Sequence, residues 1–86
     1  MRKVKTIHDH HYKALIAELA QERVRLNISQ EQLAQLVGLN QSDISKIEKC
    51  DKRLDVLELS WILDALRINE NLRLQKIVQD FLGMPR

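Results

Sequence analysis

Within the stretch NQSDISKIEK, the side chains of Gln41, Ser42, Asp43, Ser45 and Lys46 bring an amide, two hydroxyls, a carboxylate and an ammonium to one short segment. Such groups donate and accept hydrogen bonds at neutral pH. Their chemistry is recognition of heteroaromatic edges and of anions. Glutamine pairs bidentately with adenine, serine reads either way, and lysine suits guanine or a phosphate. Asp43 has two readings: an acceptor from cytosine, or a carboxylate serving the N-terminus of its own helix. Catalysis needs other arrangements. No nucleophile is matched with a base, and no paired carboxylates stand out. Two glycines are too few for a phosphate-cradling or nucleotide fingerprint. The sequence therefore implies no enzyme and no cofactor.

A second group invites a metal reading. His8, Asp9, His10 and His11 are contiguous, but neighbouring residues point apart on a helix and no cysteine accompanies them. No metal site is assigned, and Asp9 reads as the start of a helix. Cys50 is the single cysteine, so no internal disulfide forms and a reducing cytoplasm is the natural setting. A redox role for Cys50 would need a lowered pKa and exposure.

The polar cluster needs a scaffold, and Ser29–Lys49 supplies one. Ser29 caps a first helix, with Gln32 three residues on completing a capping box. Leu33, Val37, Ile44 and Ile47 fall at helical spacing within two halves. Gly38 ends the first half, where a left-handed backbone is easiest for glycine. Asn40 caps the second half, with Asp43 at its third position. Ala34 lies where the two helices should cross. Two short helices joined by a tight turn are the pattern of a helix-turn-helix, and also of an ordinary αα-hairpin.

The segment resembles the lambda-repressor-like (Xre/Cro) family. The resemblance runs from Tyr12 to about Asn69 and rests on Arg23, on ISQEQLAQLVGLNQSDISKIE, on KRLDVLEL and on the ILDAL helix. It implies an all-α, five-helix DNA-binding domain. By that resemblance Gln30 touches a phosphate and supports Gln41. Gln41, Ser42 and Lys46 read bases, with Ser45 beside them. Arg23 pairs with Glu48, and the loop Cys50–Leu54 brings Lys52 and Arg53 to the DNA backbone, joined by Lys49. The family usually has glycine where this chain has Cys50. Cysteine at φ > 0 would be strained, so either the helix runs on or Lys49–Asp51 form a different cap.

The rest of the chain reads as follows. Eighty-six residues make one domain, and 44% hydrophobic with 3% aromatic residues demands an aliphatic core. So small a core gains from dimerisation. The formal charge is only +2, so distribution matters more than the sum. Arg2, Lys3 and Lys5 give residues 1–7 the character of a basic arm, able to track phosphates or simply a loose start. Residues 8–86 form the domain. A first helix from about His10 to Leu26 carries Tyr12, Leu15, Ile16, Leu19 and Val24 or Leu26 inward, with Glu18, Gln21, Glu22 and Arg25 on other faces. Asp55 and Glu58 open a fourth helix, in which Trp61 has a core and an interface reading. A fifth helix from about Glu70 to Leu82, capped by Asn69, places Leu74, Ile77, Val78 and Phe81 in one stripe. That stripe suggests a two-fold interface, against the alternative that it folds back as core. The charged start excludes a signal peptide, and no stretch has the length of a membrane span. The expected whole is a cytoplasmic transcriptional regulator, a repressor in the first reading. It acts as a homodimer on a pseudo-palindromic double-stranded DNA operator. The alternative is an antitoxin-type module that binds a toxin partner as well as its own operator.

Overall fold

A computed structural model describes residues 9–83. The basic arm, His8 and Pro85 lie outside that range. Five α-helices follow one another: α1 (His10–Arg25), α2 (Gln30–Val37), α3 (Gln41–Glu48), α4 (Val56–Ala65) and α5 (Leu72–Leu82). No strand occurs among the described residues. The fold is the all-α architecture expected.

Each helix begins on a side chain that satisfies an otherwise orphaned amide. Asp9 Oδ1 accepts from Tyr12 N at 3.1 Å, and Asn40 Oδ1 from Asp43 N at 2.8 Å. Ser29 with Gln32, and Asp55 with Glu58, form full capping boxes. Each helix also ends on a left-handed residue: Asn27, Gly38, Cys50, Arg67 and Gly83 have φ of 65°, 75°, 60°, 63° and 66°. Cys50 thus takes the left-handed conformation that glycine adopts most easily. The helix does not run on past it. Cys50 N bonds to the Ile47 carbonyl and Asp51 N to the Lys46 carbonyl, and these bonds hold the turn.

The fifth helix starts two residues later than expected. Arg67 stops α4, and a 3₁₀ turn over Ile68–Glu70 then uses the residues assigned to the helix start. Asn71, not Asn69, is the cap, accepting from Leu74 N at 3.0 Å.

The core is aliphatic. Ile16 of α1, Ile44 of α3, Leu66 beside α4 and Leu74 of α5 are each at most 2% exposed. α3 packs on α2 and α1, α4 packs on α2, and α5 closes back on α1. Leu74 is therefore enclosed by its own chain and cannot serve a two-fold interface. Ile77 and Phe81 also pack against the core, while Val78 is half-buried. Val24 is exposed and the half-buried Leu26 takes the inward place.

Candidate nucleic-acid interface

The outer end of α3 is built from the inside out. Arg23, in the last turns of α1, is mostly buried beside Glu48 at the end of α3. Its Nε donates to Glu48 Oε2 at 2.7 Å and its Nη2 to Glu48 Oε1 at 3.1 Å. Its Nη1 donates to the Ile28 carbonyl at 2.6 Å. This forked geometry suits arginine and not lysine. It ties α1, the entry to α2, and α3 at one point.

Glu48 Oε1 also accepts from Gln30 Nε2 at 2.9 Å. Gln30 Oε1 in turn accepts from Gln41 Nε2 at 2.8 Å. A carboxylate only accepts, so the Gln30 atom facing Glu48 must be nitrogen. Its oxygen is then left for Gln41, which must offer an N–H. A run of hydrogen bonds thus fixes the amide orientation of the first residue of α3.

Around Gln41, the residues Ser42, Ser45, Lys46 and Lys49 share the face of α3 opposite Ile44 and Ile47, as the helical repeat requires. Ser42, Lys46 and Lys49 are exposed and Ser45 is half-buried. Lys46 and Lys49 engage no acid among the described residues. Lys52 differs. Its Nζ lies 3.5 Å from Asp43 Oδ1 and 3.9 Å from Glu58 Oε2.

The loop after α3 is pinned from α1. Tyr12 Oη accepts from Leu54 N at 2.9 Å, and Leu54 is buried. Burial pushes the Tyr12 phenol above its ordinary pKa, with the Leu54 amide acting in the opposite sense. Arg53 projects from this loop and is exposed.

A family model described as helix-turn-helix matches residues 19–72, well over half of the chain. The chain belongs to the Xre/lambda-repressor-like helix-turn-helix family. No curated protein matches it. Members of this family are DNA-binding regulators of transcription, and that class holds for this chain.

In this helix-turn-helix protein, α2 and α3 are the motif and α3 is its second helix. The expected base-reading residues Gln41, Ser42, Ser45 and Lys46 fall on one face. Gln30 and Lys49 flank them, and Arg53 stands on the following loop. No described helix is long and apolar enough to cross a membrane.

Sequence reasoning missed Glu22. It was assigned to an outer face, yet it is 1% exposed. Its carboxylate accepts from Arg25 and from Asn71 Nδ2, and lies 3.5 Å from Arg73 Nε. Because Asn71 Nδ2 is held by Glu22, its Oδ1 is aimed at Leu74 N, so a carboxylate on α1 sets the cap of α5. The Arg25 hydrogen bonds hold the Glu22 carboxyl below the usual carboxylate range, helped by Asn71 and Arg73 and opposed by burial. The available signal was position: Glu22 follows Leu15, Ile16 and Leu19 on the apolar stripe. Its charge argued the other way.

Proposed function

We propose that this chain is a sequence-specific double-stranded DNA-binding repressor acting in the cytoplasm as a homodimer on a pseudo-palindromic operator. The observation that carries this reading is the buried-to-exposed run Arg23, Glu48, Gln30, Gln41. It holds one N–H of Gln41 inward and leaves the side-chain oxygen and the second N–H outward. Those two groups match the N7 acceptor and N6 donor of adenine in the major groove. Ser42, Ser45 and Lys46 extend the reading surface. Gln30, Lys49 and Arg53 position the domain on phosphates. Repression follows from occupancy of the operator.

The two-fold partner is a second copy seated on the groove between the start of α1, the start of α4 and the end of α5. Val56 is 84% and Leu82 56% exposed on its rim, with Tyr12, Leu59 and Phe81 along it. Asp9, Arg53 and Asp55 also line it. The body measures 39 × 30 × 20 Å. A pseudo-palindromic operator asks that such a pair hold its two α3 helices about one DNA turn, ~34 Å, apart.

Selection from a random duplex library at physiological salt tests this reading. Enrichment of a two-fold symmetric site with adenine at a fixed half-site position is expected. Failure to enrich any sequence would refute it. One observation favours the second reading, an antitoxin-type module with a toxin partner. Leu36 is 64% and Trp61 42% exposed in a groove between α2 and α4. A stoichiometric protein partner that quenches or shifts Trp61 fluorescence would support it.

A further inference from the structure

We propose that Lys52 is a positioning residue that cancels the charge of Asp43 beside the reading face, and not a phosphate contact. The proposal rests on the DNA-binding reading above.

Asp43 is the third residue of α3, in the same turn as Gln41 and Ser42, and its side chain is 27% exposed. The cap of α3 is Asn40, which accepts from the Asp43 amide, and the Asp43 carboxylate closes no capping box in return. A carboxylate at that place meets the polyanion when α3 enters a groove, and like charges at such range repel. Lys52 stands at the required point to prevent this. Its backbone N–H donates to the Lys46 carbonyl at 3.2 Å, which fixes its origin at the end of α3. Its side chain then turns back to place Nζ between Asp43 and Glu58. Glu58 is itself held by the capping box of α4, with Oε1 accepting from Asp55 N at 3.2 Å. One ammonium facing two carboxylates has no surplus charge to offer a phosphate. Lys46 and Lys49, on the same side, have no such acids among the described residues.

The test is a double-mutant cycle in the full chain. Wild type, Lys52→Met, Asp43→Asn and the double variant are titrated against a duplex selected from the random library. They are also titrated against a random-sequence duplex of equal length, both over a range of salt, with a thermal melt of each protein to establish that it is folded. Lys52→Met is expected to weaken both duplexes by about fivefold or more while Asp43 is present. In the Asp43→Asn background the same change is expected to alter affinity by less than about twofold, with no change in salt slope. Asp43→Asn alone is expected to bind as tightly as wild type or more tightly on both duplexes. An equal loss in both backgrounds, with the slope shallower by about 0.9, would show a phosphate contact and overturn the proposal. Loss in Asp43→Asn on the selected duplex alone would make Asp43 a base reader and overturn it too, without needing a folded Lys52 variant. Wild type that binds neither duplex would instead overturn the DNA-binding reading, and this proposal with it.

Discussion

Gln41 and Gln30 are joined amide to amide at 2.8 Å across the turn of the motif. The first residue of the second helix is thereby oriented before any ligand arrives. Preorganisation of this kind reduces the rotamer entropy lost on binding. Gln41→Ala is expected to weaken the selected operator by about 1–3 kcal/mol and random duplex far less. Gln30→Ala should lose a comparable amount, and the double variant little more than either alone. Additive losses would mean that the two amides act separately, and equal loss on both DNAs would contradict base reading by Gln41.

Arg23 is the buried end of the same run. Arg23→Ala strands the mostly buried Glu48 carboxylate and frees the Ile28 carbonyl. The expected loss is about 3 kcal/mol of folding stability, a large share of what so small a domain possesses. Arg23→Lys should recover less than half, because an ammonium cannot make the fork. Urea denaturation measures both. A lysine variant as stable as wild type would remove the geometric argument.

Glu22 predicts an acid-sensitive fifth helix. Its folded-state pKa lies below the ordinary value. The stability it contributes is therefore present in full above the unfolded carboxylate pKa, about 4.3, and is lost as pH falls through the lowered folded pKa. Glu22→Gln should lower stability at pH 7 by about 1–2 kcal/mol and flatten the acid limb below about pH 4. Amide exchange of α5 as a function of pH is the readout. An acid limb with the wild-type slope in Glu22→Gln would assign the sensitivity to other groups.

Arg67 ends α4 at φ 63° and is exposed. A non-glycine residue in that region carries strain of about 1 kcal/mol. Glycine relieves it, in part offset by its greater freedom in the unfolded chain. Arg67→Gly is expected to raise stability by about 0.5 kcal/mol, seen as a rise in Tm. A fall in Tm would mean that the arginine side chain contributes more than its backbone loses.

The proposed two-fold face separates interface from core. Val56→Glu and Leu82→Glu should give folded monomers with weakened operator affinity, because both side chains are exposed in the single chain. Leu74→Glu should abolish folding, since that side chain is fully buried. Analytical ultracentrifugation with circular dichroism distinguishes the two classes. Dimers that persist in both rim variants would move the interface elsewhere.

Local rules made the motif legible. The caps at Ser29 and Asn40 and the left-handed stop at Gly38 are short-range signals, and each appears where its residue type requires. The pairing of Arg23 with Glu48 followed only from resemblance, because 25 residues separate them. The support of Gln41 by Gln30 likewise came from resemblance, while the bond from Gln30 to Glu48 closes across two helices that no periodicity brings together. The acid partners of Lys52 were not legible for a similar reason: Asp43 and Glu58 sit on different helices, and only the fold of the intervening loop gathers them. Leu74 and its neighbours formed an amphipathic stripe, but a stripe does not say whether it meets its own chain or another. Glu22 supplied the answer by drawing the start of α5 onto α1.

The same polar run constrains how this protein can diverge. Replacing Gln41 alone leaves the Gln30 oxygen without its partner, and replacing Gln30 alone removes one donor from Glu48. Ser42, Ser45 and Lys46 carry no such attachment among the described residues. Those three positions are therefore the ones that can be exchanged without disturbing the run. A change at position 41 is instead felt at position 30, because the two amides share one hydrogen bond.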